Sequence, residues 1–256
     1  MSIAGYFRPW TSNTKNVWDY VFDLTPAHPS LATIKILRNN YDVLGDKAFT
    51  VLSDLRKAGR SRGQGNIDQE QQQLDLFTLL QENWQSNPTL SELWTTVSNV
   101  PAWVSWEQIA RGQDCFHRYG IPLSLGLAFE SLLAGMGAAR IVEVLSRTGG
   151  FQTNVARRRI LETTQFVLQC TESLKSLQPG GRAFASCLRV RFLHAAVRQK
   201  MTTLSLRDST YWDSEAFGVP INDLDSIATV SSFSSTLIWV ALPRQGYVSL
   251  GSILYL

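Results

Sequence analysis

Residues 187–201 read CLRVRFLHAAVRQKM. Val190, Phe192, Leu193, Ala195, Ala196, Val197 and Met201 point in most directions around a helix, the pattern of a segment buried on every side. Three residues break that pattern. Arg191, His194 and Arg198 stand three and four apart, so they share one helix face about a turn from each other. An unpaired guanidinium in apolar surroundings costs on the order of several kcal/mol. The spacing therefore predicts an anion against this face, with an imidazole aimed at it from between two cations. A ferric porphyrin meets both demands, with carboxylates for the arginines and a metal for the imidazole. The structural alternative pairs the arginines with Asp223, Asp225 or Glu162 and leaves His194 as a hydrogen-bonded core residue.

The 256-residue chain is 44% hydrophobic and 18% charged, which allows one sizeable core. A net charge of +3, with the arginines placed on helices beside apolar partners, gives no reason to expect nucleic acid as a partner. Three cysteines, Cys115, Cys170 and Cys187, are far apart in sequence and lack CxxC spacing. This argues against a disulfide scaffold or a zinc site and for a reducing compartment. The first residues, MSIAGYFRPWTSNTKN, lack the basic-then-apolar order of a signal peptide. The longest uncharged run, 227–243, is shorter than the roughly 20 residues of a membrane span and rich in Ser and Thr, so it reads as a buried helix. An intracellular protein, cytoplasmic or associated with the endoplasmic reticulum, is expected, with peripheral membrane association open.

No strand alternation outcompetes the helical patterns, and the fold class expected is all-α in one domain. Residues 1–30, broken by Pro9, Pro26 and Pro29, are expected to wrap the surface and tuck Trp10, Trp18 and Phe22 inward. Apolar spacing predicts a helix over 31–55, an exposed loop over 59–73, and a helix from about 68 to 85. It predicts a short helix over 87–103, with Trp94, Val97 and Val100 inward. It predicts another over 106–119, stopped by Gly120 and Pro122. A long apolar helix is expected over 123–145, where Gly126, Gly135 and Gly137 permit close approach. It is closed by Gly149 and Gly150. Helices over 153–177 and 187–201 follow, separated by a QPGG turn; then come a loop over 208–222 and an uncharged helix over 224–242. These helices should pack around a central buried pair.

Of three histidines, His28 reads as a loop residue and His117 as an exposed residue near a helix end, which leaves His194. The sequence carries no HExxH, GxSxG, GxGxxG or GxxxxGK[ST] pattern, so protein-ligated zinc, hydrolase, Rossmann and P-loop readings lack support. One axial imidazole suffices for heme, whose other ligands belong to the macrocycle. A second constellation, Arg159, Glu162, Thr163 and Phe166, falls on one face of the preceding helix. If that face meets the other side of the same cofactor, Glu162 is a candidate acid or base and Thr163 a donor. Equally, Arg157, Arg158 and Glu162 form a solvated ion-paired face.

The ordered set Arg191-x-x-His194-x-x-x-Arg198, Arg159-x-x-Glu162-Thr163 and Gly218-x-Pro-Ile-Asn-x-x-Asp225 resembles the rubber oxygenase (latex clearing protein) catalytic domain. That family includes fungal endoplasmic-reticulum-bound oxygenases of mycophenolic acid synthesis. WEQIARGQ, GMGAARIVEVLSRTGGF, RRRILETTQ and LRVRFLHAAVRQ look particularly like this fungal branch. The likeness spans about 103–243. It implies a globin-like helical core holding heme b, with His194 as proximal iron ligand and Arg191 and Arg198 as its arginine companions. It also implies Arg159 and Thr163 on the distal helix. The implied reaction is dioxygen-dependent cleavage of an isoprenoid carbon–carbon double bond. The distal lysine of the bacterial enzymes is replaced here by Glu162. The domain plan expected is 1–256 as one unit, with N-terminal helices and wrap over 1–100, a family core over 101–243 and a divergent tail over 244–256. Family members continue past PRQG with a helix bearing a WR pair, where this chain reads YVSLGSILYL. A C-terminally truncated member with an incomplete pocket is therefore expected. The alternative is a non-catalytic paralogue that binds heme or a hydrophobic ligand without turnover.

Overall fold

The computed structural model describes residues 11–17, 20–62, 75–133, 135–150 and 152–247. The chain is all-α, apart from one antiparallel hairpin, β1 (Thr14–Val17) and β2 (Tyr20–Asp23), with Thr14 opposite Asp23. The hairpin corrects the expectation of no strands. Its Phe22 stacks on His28 at 5.9 Å, while Trp10 and Trp18 lie outside the described residues.

The helix expected over 31–55 divides into α1 (Leu31–Asn39) and α2 (Val43–Arg62). The break has a local cause. Asn40 is extended, and the Asp42 carboxylate accepts the Gly45 N–H at 2.9 Å, capping the start of α2. The expected loop at 59–73 is helical as far as Arg62, and residues 63–74 lie outside the described residues. Helices α3 (Leu76–Asn83) and α4 (Pro88–Ser98) follow. Asn87 caps α4 and Pro88 occupies its first turn, where the missing N–H costs nothing. Trp94 faces inward as expected, stacked on Trp84 at 5.8 Å, but Val100 is exposed beyond the end of the helix.

The helix expected over 106–119 ends where Gly120 and Pro122 were expected to stop it, at Tyr119, but a new helix begins at once. Helix α5 (Trp106–Arg118) is followed at once by α6 (Gly120–Gly126), because a proline in a first turn leaves no hydrogen bond unmade. α6 passes into a π-helical segment, Leu127–Leu133, and the next helix, α7 (Ala139–Arg147), is separate. The expected helix over 123–145 is thus broken. Gly126 does serve close approach: a Cβ there would lie 2.6 Å from Ala241 Cβ.

α8 (Thr153–Glu172), α9 (Leu174–Leu177) and α10 (Arg182–Arg207) form the frame of the molecule. α10 packs on α2, α3, α8 and α9. It buries a stripe of Phe184, Leu188, Phe192, Ala195, Arg198 and Met201, but Leu193 is 51% exposed and His194 is also exposed. The expectation of burial on every side is therefore corrected: α10 has one open side. α8 has no buried residue.

The main core joins α10 to α2, α3 and α4 through Leu52, Phe77, Leu80, Leu90, Leu93 and Phe192. Fully burying each such side chain contributes roughly 1.5–3 kcal/mol. A smaller cluster, Leu123, Leu237, Ala241 and Leu242, ties α6 to the last helical run. That run consists of α12 (Asp223–Ser232), a π-helical segment Leu237–Ala241 and α13 (Leu242–Arg244), after the four-residue α11 (Ser214–Phe217) inside the expected 208–222 loop. It is not the buried helix expected from its composition. Over Asp223–Arg244 it is long and apolar enough to cross a membrane, and most of it faces outward.

Candidate functional site

Arg191 and Arg198 meet their anions within the chain. Arg191 grips Asp42 with two hydrogen bonds, Nε to Oδ2 at 2.5 Å and Nη2 to Oδ1 at 2.7 Å. Arg198, whose side chain is 3% exposed, holds Asp46 through Nε at 3.1 Å and Nη2 at 2.8 Å. Its Nη1 donates to the Ile221 carbonyl at 2.7 Å, and its guanidinium lies 5.0 Å from the Tyr41 ring centre. Asp42 and Asp46 thus take the place of the expected partners Asp223, Asp225 or Glu162. A buried guanidinium with a bidentate carboxylate, a carbonyl and an aromatic face is satisfied. Burial pushes the Asp42 carboxyl up, but the Arg191 and Gly45 hydrogen bonds and the Arg191 and Arg198 charges outweigh it and hold it below the usual range.

The Ile221 carbonyl is presented by a constrained loop. Ile221 has φ +53°, a left-handed conformation that costs a β-branched residue about 1–2 kcal/mol. The buried Asn222 holds it: Nδ2 donates to the Val219 carbonyl at 2.9 Å, and Oδ1 accepts the Asp225 N–H at 3.0 Å, capping α12. Val219 and Asp223 N–H groups donate to the Arg38 and Asn40 carbonyls, both at 2.9 Å. Asp225 accepts from Arg140, so two family-like motifs that are distant in sequence meet there.

α8 and α10 lie side by side, antiparallel. Glu172 pairs with Arg182, Ser186 Oγ donates to Gln169 Oε1 at 2.5 Å, and the Cys170 and Cys187 thiols share a hydrogen bond. The two cysteines are thus neighbours in space, although 17 positions separate them in sequence. Followed back along α8, this register brings Arg159 toward His194, whose titration its charge influences. Arg159 has no acidic partner among the described residues. Thr163 stands one turn along the same side. Glu162 instead forms a solvated pair with Arg158 at 3.6 Å, with both side chains more than half exposed.

His194 makes no hydrogen bond among the described residues. The side chain is exposed, yet the protein around the ring still weighs on its titration. Crowding pushes its pKa down, the charges of Arg198 and Arg159 add to this, and Asp42 opposes; the result is about 4. The imidazole is therefore neutral at pH 7 with an unclaimed nitrogen. Between about pH 6.5 and 4 the unfolded chain binds this proton and the folded chain does not, so stability falls as pH falls through that window. The open side of the ring leaves much of the field screened, so the expected loss is on the order of 1 kcal/mol. Urea titrations at pH 7 and pH 4.5 should show a smaller loss for His194→Ala than for wild type. Equal losses would remove the imidazole as the cause. Two open grooves, of about 720 Å³ beside Trp212 and about 500 Å³ along α8 at Leu161 and Leu168, do not include His194.

The sequence profile of a family described as ER-bound oxygenase mpaB/B'/Rubber oxygenase, catalytic domain, matches residues 119–248, slightly more than half of the chain. The chain belongs to this family. No curated protein and no solved structure matches it. The oxygenase-family match begins later and ends later than the core expected over 101–243. It contains Arg159, Glu162, Thr163, Arg191, His194 and Arg198, together with the Arg140–Asp225 pair. It excludes Asp42 and Asp46, so both acids that neutralise the oxygenase domain's arginines come from the N-terminal helices. These two, with Tyr41, are the site residues that reading the sequence missed. The available signal was two carboxylates four apart at the start of a helix that otherwise turns Leu44, Ala48 and Leu52 inward.

Proposed function

We propose that this chain is a heme b-dependent oxygenase that cleaves a carbon–carbon double bond of an isoprenoid or another hydrophobic substrate. Both atoms of dioxygen would go to the two carbonyl products, so the balance needs no external reductant. The observation that carries this reading is His194: a neutral, unengaged imidazole on an open face of an oxygenase-family domain. The donor set fits a group that needs one axial nitrogen. Among the described residues, no group of three or more His, Cys, Asp or Glu side chains could hold a bare metal ion.

The anchoring differs from the one expected. Arg191 and Arg198 are occupied by Asp42 and Asp46, so Arg159, with no acidic partner among the described residues, would be the cation for a heme carboxylate. His194 would hold the heme iron. The bound heme would supply dioxygen activation. Thr163 would donate a hydrogen bond beside the bound group. Glu162 is the acid or base there once it leaves Arg158, an exposed pair worth only about 0.3–0.5 kcal/mol. Association with the endoplasmic reticulum membrane follows the family's description and belongs to the same reading.

Titration of the purified protein with hemin is expected to shift and sharpen the Soret band, and His194→Ala to lose that change. No shift, or the same shift in the variant, overturns the assignment. The internal ion pairs of Arg191 and Arg198 favour a second reading, a helical domain without turnover. Oxygen consumption by heme-loaded protein supplied with an isoprenoid alkene would exclude it.

A further inference from the structure

α6 with its π-helical extension, and the run from α12 to α13, form an antiparallel pair. Its seam runs from Pro122 against Gln245, through Gly126 against Ala241, to Ser131 hydrogen-bonded to Ser232. Away from the seam, both members turn apolar side chains outward. On the first these are Ile121, Leu125, Phe129, Leu132 and Leu133, recurring at helical spacing. On the second they are Ile227, Val230 and Trp239. Over 120–133 and 226–247 the only formal charges are Glu130 and Arg244, and these two pair with each other at 2.8 Å. The first member, two 7-residue segments in succession, is roughly 21 Å long, so two helices side by side make a face on the order of 400 Å². A monomer in water rarely leaves such an area uncovered.

The hydroxyl groups indicate what covers it. Ser226, Thr229, Ser234 and Ser235 all return their Oγ–H to the carbonyl four residues back, at 2.6–3.1 Å. These side chains satisfy themselves on their own helix. A protein partner generally exchanges about one hydrogen bond per 100–200 Å² of interface, and these groups are already used. Hydrocarbon asks for none, and self-satisfied Ser and Thr are what a lipid-facing helix requires. At one end of the pair, Tyr119 and the exposed Tyr247 meet edge to face, 6.5 Å apart, next to the exposed Arg118. Aromatic and basic side chains at one border suit the headgroup layer.

We infer that the outer face of this helix pair is a bilayer-docking surface, with the Tyr247 end at the headgroups. The assignment uses neither His194 nor Arg159. The test is flotation of the purified full chain with phosphatidylcholine vesicles. Wild type should float. The double variant Phe129→Glu with Val230→Glu, at side chains 61% and 68% exposed, should partition at least about tenfold less, because two carboxylates replace apolar groups in lipid. Leu206→Glu, at an exposed leucine on α10 outside the face, should float like wild type. A wild type that stays with the soluble fraction, or a double variant that floats equally, overturns the proposal. So does a wild type that dimerises without floating and becomes monomeric in the double variant, since that assigns the face to a second copy. Protein that takes up hemin through His194 but does not float overturns the face alone. Protein that floats without taking up hemin overturns the heme reading alone.

Discussion

Asp46→Ala is expected to lower the unfolding free energy by about 3–5 kcal/mol. The reason is the partner left behind. Arg198 is 3% exposed and cannot turn to water, so removing its carboxylate strands a buried positive charge beside His194 and the Tyr41 ring. Asp42→Ala should cost less, because Arg191 and Asp42 are each about a quarter to a third exposed and water can replace the lost partner. Urea unfolding of both variants at pH 7 measures the difference. A loss of less than about 1 kcal/mol for Asp46→Ala would mean that Arg198 is not held as described. In the Asp46 variant with Arg198→Met added, much of the loss should return, since a buried pair can often be exchanged for an apolar side chain at little cost.

Gly218→Ala is expected to destabilise the chain by about 3 kcal/mol or more. Gly218 combines φ +73° with ψ −156°, a region only glycine occupies without strain. A Cβ there would also sit 2.2 Å from the Arg38 carbonyl oxygen, which is backbone and cannot swing aside. Gly180→Ala provides the comparison. Its φ is +87° with nothing within 4 Å of the added Cβ, so it carries the conformational cost of about 1–2 kcal/mol without the collision. Denaturant midpoints of the two variants should therefore differ clearly, and equal midpoints would refute the close approach. Because Gly218 leads into the loop that offers the Ile221 carbonyl to Arg198, its variant should also weaken that contact.

Where local chemistry sets the structure, the sequence was readable. The QPGG turn between α9 and α10 and the Gly149–Gly150 end of α7 need positive φ, and glycine supplies it at Gly180 and Gly149. The face carrying Arg191, His194 and Arg198 follows from helical spacing alone. The stop expected at Gly120 and Pro122 held for α5, but the new helix starting at Gly120 was misjudged because the same proline that breaks a helix interior is harmless in a first turn, and sequence alone does not say which it is. The outward helix over Asp223–Arg244 was misjudged for a related reason. An uncharged run looks the same whether protein or lipid covers it.

The sequence by itself determined that this chain is helical, that one helix carries two arginines and a histidine on one face, and that those cations demand anions, because each of these follows from spacing and solvation over a few residues. Only the tertiary structure decided which anions. Asp42 and Asp46 are separated from Arg191 and Arg198 by 149 and 152 residues, and only the crossing of α2 on α10 brings them together. Spacing along one helix cannot carry that information, since ion pairing depends on a distance in space that the packing of other helices sets.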